Sequence, residues 1–278
     1  MSAVLPRPGD ARAAWRSSGA PPEEWSALLD ACGGSFFQSP AALDVALPPG
    51  RPLFARLEAE GEVLAVAAGV LCGCRLSPAR RHARFAAPPA TAPGVDRGAA
   101  AVLLARALAA GGAAEVEMDS FASPGALPSA GGAIPGRERS EFVLPLTADG
   151  GVRDRLGRTH RRHVAAGDRA GWTLRSVGGD EAAALLALVG EEAARRAASR
   201  GDAIAGTDAP ATTGDDPAAA PWGTRVFAAF DGDTPLAVAL VGWGSRRAFY
   251  LRGGSTPEGY RRAAAAWLHV AVGDRLAA

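Results

Sequence analysis

The stretch from Arg225 to Leu276 constrains the fold more than any other part of the chain, because three strand patterns and one helix pattern follow each other there. RVFAAFDG and LAVALVGW are apolar runs rich in Val and Phe, and the Asp231-Gly232 pair between them is typical of a tight hairpin turn. AFYLRGG follows as a third strand pattern after the polar turn Ser245-Arg246-Arg247. The stretch therefore predicts an antiparallel meander that leads into a helix from about Pro257 to Leu276.

A glycine-rich segment connects the third strand to this helix, and it has the composition of an anion site. Ser255 or Thr256 can cap the helix, and Glu258 complements the positive end of the helix dipole. Two glycines, Gly253 and Gly254, let backbone N–H groups approach a ligand closely, and a helix N-terminus favours phosphate or carboxylate. We predict that Gly253, Gly254, Ser255 and Thr256 bind an anion, although a loop that only turns a corner has the same sequence.

Three stretches together resemble one known family. They are the strand and loop FYLRGGST before an Ala-rich helix, the run WSALLDACGGSFFQSPAALDVAL from Trp25 to Leu47, and the basic run LGRTHRRHVAAGDRAGW from Leu156 to Trp172. The second run is similar to a helix, the segment FFQSP and a second short helix. The order of the three stretches is similar to that of the FemAB-like proteins and the CelD-like acetyltransferases, which belong to the GNAT superfamily. The similarity extends from about Trp15 to the end of the chain.

The resemblance implies an α+β (α/β) fold with tandem GNAT-like domains, each a mixed, largely antiparallel sheet flanked by helices. It places the first domain at residues 15–148 and the second at residues 149–278. It also implies acyl transfer from acyl-CoA, without a metal, to an amine or hydroxyl of a small-molecule or cell-envelope acceptor. The chain departs from the family in the Ala- and Asp-rich segment 201–221, in ending where the family continues into another strand, and in having no lysine. Because the peptidoglycan branch employs lysines, a peptidoglycan aminoacyltransferase is not expected.

Acyl transfer requires a group that accepts the proton of the acceptor and a group that protonates the leaving thiolate. Tyr250 and Arg252 are alternate residues of the third strand, so they share a face and are candidates for the acid and for an anion clamp. Tyr260 is a second candidate acid, and Glu258 and Asp231 are candidate bases. The alternative for Tyr250 is a half-buried strand aromatic without a catalytic role.

A basic helix is predicted from Asp149 to Ala170. Arg155, Arg158 and Arg162 have spacings of three and four residues and share a face. Such a face can bind the 3′-phosphate of CoA or the backbone of a tRNA acceptor end, or it can be a solvated linker helix whose Arg stems cover a domain junction. His160 and His163 have the spacing of two metal ligands, but the sequence offers no third ligand near them.

The remaining elements follow from periodicity and turn residues. In the first domain we expect Trp25, Leu28 and Leu29 on one helix face and Glu115, Glu117 and Asp119 on one strand face. In the second domain we expect Leu185, Leu188 and Val189 to point inward, and Glu191, Glu192, Arg195 and Arg196 to point outward. In the first domain we predict a loose leader, a helix that ends at Cys32-Gly33-Gly34, a hairpin of 52–58 with 63–76, a loop over 77–98, a helix over 99–110, a strand over 114–118, a loop over 120–136 and a strand over 140–146. In the second domain we predict a strand over 172–177, a helix over 181–200 and a loop over 201–221.

Bulk composition narrows the class of protein. The chain is 48% hydrophobic, and its net charge is only +1, so no global field attracts it to nucleic acid or to an anionic membrane. The three cysteines, Cys32, Cys72 and Cys74, are an odd number and are better read as small buried side chains than as a disulfide framework or a zinc knuckle. The N-terminus lacks an apolar signal region, and no apolar run is long enough to cross a bilayer, so we expect a cytoplasmic protein.

Three functions remain open on the sequence alone, since the chain has none of the P-loop, nucleophile-elbow, zincin or dinucleotide-binding motifs. The first is a CoA-dependent acyltransferase of the GNAT or FemAB-like type. The second is an aminoacyl-tRNA-dependent aminoacyltransferase, for which the basic helix would bind tRNA. The third is a non-catalytic descendant of these enzymes that acts as a binding module.

Overall fold

A computed structural model describes residues 11–17, 20–74, 77–121, 143–146, 151–200, 222–244 and 247–277. The chain divides into two compact units, one formed by Met1–Glu141 with Trp243–Arg247 and the other by Phe142–Gly242 with Ala248–Ala278. The two mostly antiparallel sheets, flanked by helices, confirm the predicted α+β class. The predicted boundary between 148 and 149, the loop 201–221 and most of the loop 120–136 lie outside the described residues.

The first unit is built on one sheet in the order β1-β2-β3-β4-β6, with the short β5 paired to β3. Its successive strands pair antiparallel from β1 to β4, whereas β4 and β6 are parallel because helix α3 crosses between them. Its strands are β1 (Ala11–Ser17), β2 (Arg51–Ala59), β3 (Glu62–Cys74), β4 (Ser77–Phe85), β5 (Ala90–Thr91) and β6 (Ala113–Met118). Its helices are α1 (Trp25–Ala31), a 3-10 turn (Phe36–Gln38), α2 (Pro40–Ala46) and α3 (Arg97–Ala110).

The FFQSP segment joins α1 to α2 as predicted, and polar contacts explain its conformation. The indole Nε1 of Trp25 donates to the carbonyl of Gln38 at 3.0 Å. The Gln38 side chain in turn donates to the carbonyl of Pro88 at 2.7 Å. Trp25 and Leu29 are buried, and Leu28 is partly buried. Because buried polar groups require partners, these bonds hold the turn against a strand connection fifty residues away.

Two expectations for the first unit are wrong. The supposed loose leader contains β1, and the supposed loop 77–98 contains β4 and β5. The four prolines of that loop exclude a helix, but Pro78 is the second residue of β4 and the others follow Phe85. A proline near the start of a strand is tolerated, and the buried Ala83 and Phe85 contribute to the core under α3.

The predicted acidic face of β6 is partly neutralised by β4, which pairs with it. Arg84 donates to the Glu117 carboxylate at 2.9 Å, and His82 Nε2 lies 3.4 Å from the same carboxylate.

Cys32 is buried, and this burial raises the pKa of its thiol. Cys72 is only partly buried, and its Sγ donates weakly to the carbonyl of His82 at 3.5 Å.

The second unit has a four-stranded sheet in the order β10-β9-β8-β7, which confirms the predicted meander. The turn between β8 and β9 contains Gly232 at φ 58°, a conformation that favours glycine. Its strands are β7 (Thr173–Val177), β8 (Trp222–Asp231), β9 (Thr234–Gly244) and β10 (Arg247–Ser255). Its helices are α4 (Gly151–Asp154), α5 (Arg158–Arg169), α6 (Gly179–Arg200), α7 (Pro257–Arg261) and α8 (Ala264–Ala277).

The core of the second unit lies between the sheet and helices α5 and α8. Ala237, Ala239 and Val241 of β9 share this core with Trp267 and Leu268 of α8. The rings of Trp172 and Trp267 meet edge to face with centroids 5.9 Å apart. Small residues on β9 leave room for the two indoles, so α8 is held close to the sheet.

Two of the three long helices predicted for the second unit are broken. The basic helix consists of α4 and α5, with Arg155 in the turn between them, so Arg155 does not share the face of Arg158 and Arg162. The C-terminal helix is interrupted before α8 at Ala263, which has a φ of 56°. A left-handed residue cannot continue a helix. Residues 143–146, predicted as part of a strand, are not in a strand, and Val143 is 83% exposed.

Helix α6 differs from the expectation in which residues it buries. Leu185 and Val189 are buried as predicted, but Leu188 is 41% exposed. Glu192 was expected to face solvent and is only 7% exposed. Its carboxylate accepts from Arg195 at 2.7 Å and from Arg196 at 2.5 Å, and these bonds lower the pKa of Glu192.

The two units share part of their order of elements. In each, one strand (β1 or β7) leads through one or more helices into three successive strands, and a helix that packs on the sheet follows; the second unit has α4 and α5 before β7, and the first has the short β5 before α3. The first unit adds the parallel strand β6 after that helix. Among the described helices, none combines the length and the apolar character needed to cross a membrane.

Candidate active site

Tyr250 and His269 form an aromatic pair on the second unit. Tyr250 lies in β10 and His269 in α8, and their rings meet edge to face with centroids 4.9 Å apart and an interplanar angle of 87°. Tyr250 remains 52% exposed. The pair therefore places a phenol and an imidazole next to each other at an accessible part of the sheet.

The surroundings shift both members of the pair toward their neutral forms. Partial burial raises the pKa of Tyr250, because the phenolate is harder to solvate there than the phenol. Partial burial also lowers the pKa of His269, because the imidazolium loses solvation. At neutral pH the pair consists of a phenol that can donate a proton and an imidazole that can accept one.

Gly253 and Gly254 belong to β10, as the strand pattern AFYLRGG indicates, and not to a loop between this strand and the helix. A Cβ on Gly253 would lie 2.1 Å from the carbonyl oxygen of Val238 and 3.0 Å from the Tyr250 hydroxyl. A Cβ on Gly254 would lie 3.1 Å from Val189 Cβ of α6. These glycines therefore allow β10 to approach β9 and α6, and Gly253 also leaves room for the Tyr250 hydroxyl.

Thr256 caps the next helix, which resolves the choice between Ser255 and Thr256. Its Oγ1 accepts from the backbone N–H of Gly259 at 3.1 Å, whereas Ser255 is the last residue of β10. Its backbone N–H donates to the carbonyl of Leu236 at 2.9 Å. The cap and the strand pairing account for this segment through contacts within the protein, and anion binding by its backbone stays a prediction.

Glu258 and Asp231, the predicted bases, are engaged by arginines. Arg262 donates to Asp231 at 2.6 Å and lies 3.9 Å from Glu258, which also pairs with Arg261. Both carboxylates therefore already have arginine partners. These contacts connect the two carboxylates with each other through Arg262.

Tyr260, the second candidate acid, is 61% exposed on α7. The guanidinium of Arg196 lies over its ring at 3.5 Å from the centroid. Arg252 lies in β10 two residues after Tyr250, as predicted.

The sequence did not reveal His269 as a candidate. It is one of four histidines in the chain and lies on α8, the helix that covers the sheet.

The basic helix α5 presents Arg158 and Arg162 as predicted, together with Arg161 and Arg169, around a shallow depression of about 490 Å³. All four arginines are exposed. The ring centroids of His160 and His163 are 6.4 Å apart, and in the part of the chain that the structure describes no three potential ligands are grouped for a metal ion.

No protein-family model matches the chain, and a search of curated proteins gives no significant match.

Proposed function

We propose that the second unit is an acyltransferase of the GNAT or FemAB-like type, which moves an acyl group from acyl-CoA to an amine or hydroxyl. The observation that carries this proposal is the contact between Tyr250 and His269, whose ring centroids are 4.9 Å apart. Both groups are in the protonation states that such a transfer needs, because burial raises the pKa of Tyr250 and lowers that of His269.

The reaction requires two proton movements around one new bond. Neutral His269 accepts the proton of the acceptor amine while the amine nitrogen attacks the thioester carbonyl. The tetrahedral intermediate then expels the CoA sulfur, the C–S bond breaks, and Tyr250 donates its proton to the leaving thiolate. Transfer of the imidazolium proton to the phenolate, directly or through water, restores both groups.

The architecture supports the same proposal. The second unit contains the strand, helix, three-strand meander and following helix that the sequence resemblance implies for a GNAT-like domain, and the first unit repeats this order. In this proposal Tyr250 is the acid, Arg252 clamps an anionic part of a ligand, and the donor's pantetheine lies along the segment from Gly253 to Thr256. We place such an enzyme in the cytoplasm.

A second candidate function is aminoacyl transfer from tRNA, and the four exposed arginines of α5 favour it. Exposed arginines attract the phosphates of nucleic acid, and binding of that kind weakens steeply with salt. This candidate shares the acyl-transfer chemistry of the pair Tyr250–His269 and differs in its donor.

The test measures release of CoA thiol from acetyl-CoA and longer acyl-CoAs with a panel of amines, amino sugars and alcohols. Tyr250→Phe and His269→Gln should each lower kcat by about 10²-fold or more, whereas Tyr260→Phe, the matched control, should leave kcat unchanged. A thermal-shift series with the same donors reports binding separately from turnover. If no donor stabilises the folded protein, the transferase proposal is wrong and a binding module remains.

A further inference from the structure

We propose that the outward face of α5 is a phosphate-binding subsite for a nucleotide-type diphosphate. This inference goes beyond the proposed function, because it requires neither an acyl group nor turnover. If the transferase proposal holds, the subsite would take the diphosphate of CoA.

Helix geometry places the arginines of α5 in one stripe. With 100° of rotation per residue, Arg158, Arg162 and Arg169 lie within about 40° of each other, and Arg161 lies beside them. The stripe is about 17 Å long, since Arg169 comes eleven positions after Arg158. Ala165 and Ala166 form the floor of the depression between the arginines. Positive groups therefore stand at both ends of a shallow apolar floor.

The carboxylate of α5 does not neutralise this stripe. Asp168 accepts from Arg153 at 2.8 Å and from the Trp267 indole at 2.9 Å, on the side of α5 that faces α8. Val164 and Gly167 on the same side are buried. Among the described residues, the four arginines of the stripe have no carboxylate partner. Their charge is directed toward solvent and toward whatever enters the depression.

The kind of cation and the spacing of the arginines point to the ligand class. The depression is shallow and is lined by residues of α5 alone, so it offers a short contact surface rather than a long track. Guanidinium groups match phosphate oxygens in a forked, bidentate manner. Arg158, Arg161 and Arg162 at one end and Arg169 beyond the two alanines fit a ligand with linked phosphates and an apolar or planar portion between the cations. A nucleotide-type diphosphate has this chemistry.

The experiment uses calorimetry on the full chain with ADP, CoA, AMP, inorganic pyrophosphate, adenosine and a short single-stranded RNA. We expect ADP and CoA to bind, pyrophosphate to bind more weakly and adenosine not to bind. Arg162→Gln combined with Arg169→Gln should weaken ADP binding at least tenfold. Arg106→Gln, an exposed arginine on helix α3, is the matched control and should bind like the unaltered protein.

Hydrogen exchange locates the site without reference to activity, since ADP should slow exchange in residues 158–169. Equal ADP affinity in the double variant, equal binding of adenosine, or no binding of any diphosphate would each overturn the proposal. Tight RNA binding without ADP binding would also overturn it and would assign the stripe to nucleic acid. Tyr250→Phe should leave ADP affinity unchanged, and this result separates the phosphate subsite from the proposed acyl transfer.

Discussion

The Trp267 indole donates a hydrogen bond to the Asp168 carboxylate at 2.9 Å, and the same carboxylate accepts from Arg153 at 2.8 Å. Arg153 also donates to Asp274 at 3.0 Å. Three helices, α4, α5 and α8, are therefore joined through one carboxylate at the rim of the core. Arg153 is the principal reason that the pKa of Asp168 is lowered, and the Trp267 bond adds to it.

Asp168→Asn should lower the free energy of unfolding by about 1 kcal/mol, because it weakens a partly exposed ion pair and keeps one acceptor for the indole. A carboxyl group with a lowered pKa in the folded state stabilises the protein above its usual pKa of about 3.9 and loses this contribution as the pH falls. Denaturant unfolding at pH 7 and at pH 3 should therefore show a smaller difference between variant and unaltered protein at the lower pH. An equal difference at both pH values would contradict a stabilising role for the ionised Asp168 carboxylate.

Gly259→Ala should destabilise the second unit by about 3 kcal/mol, which is large for the addition of one methyl group. The Cβ would lie 1.8 Å from the carbonyl oxygen of Leu236, so either the start of α7 or that of β9 must move. Gly178→Ala is the control, because no atom lies within 4 Å of the added Cβ, and it should cost under about 1 kcal/mol. Comparable losses in both variants would show that the close approach is not the cause.

The phenol of Tyr250 should titrate above pH 10, because partial burial raises its pKa. The chain has only two tyrosines, so the phenolate absorbance of a Tyr260→Phe variant reports Tyr250 alone. Adding His269→Ala should shift the midpoint back toward about 10, since removal of the imidazole admits water. Circular dichroism at each pH must show a folded protein. A midpoint at or below that of free tyrosine would contradict the predicted desolvation.

His269 should titrate below the usual histidine pKa of about 6.5, because burial disfavours its charged form. The unfolded chain then binds a proton more readily than the folded protein as the pH falls below about 6.5, so stability is lost in that direction. His269→Gln should reduce the loss of stability between pH 7 and pH 5. Proton NMR of the imidazole gives the pKa directly, and a midpoint above 6.5 would contradict the expected shift.

If the proposed transfer is catalysed, its rate should follow the same two groups. kcat should fall as His269 is protonated on the acidic side, and it should fall again at high pH as Tyr250 ionises. Tyr250→Phe should remove the alkaline limb, whereas Tyr260→Phe should preserve both limbs. An unchanged alkaline limb in Tyr250→Phe would exclude Tyr250 as the acid.

Local patterns predicted much of the fold. The hairpin at Asp231-Gly232, the pairing of β2 with β3, the helices on either side of FFQSP and the cap at Thr256 all follow from residues close together in the chain. The strand β4 was not predicted, because its proline and its charged residues hid the alternation that buries Ala83 and Phe85. The break at Ala263 was also missed, since good helix formers surround it, and the break at Arg155 was missed although Gly157, a poor helix former, follows it.

The candidate site shows the same division between features that nearby residues predict and features that packing decides. Tyr250 and Arg252 were found because they alternate on a recognisable strand, whereas His269 has no local signal that relates it to Tyr250. The glycines of β10 were assigned to a ligand because their packing against Val238 and Val189 is not visible in sequence.

The sequence by itself determined the α+β class, the order of most elements and the shared face of Arg158 and Arg162 on α5, since these depend on periodicity and on turn and cap chemistry within a few residues. Only the tertiary structure decided that Tyr250 meets His269, that Glu192 of α6 is buried, and that Gly259 lies against Leu236. The physical reason is that these relationships depend on how close helices and strands approach, and that distance is set by the packing of side chains from separate elements of the second unit.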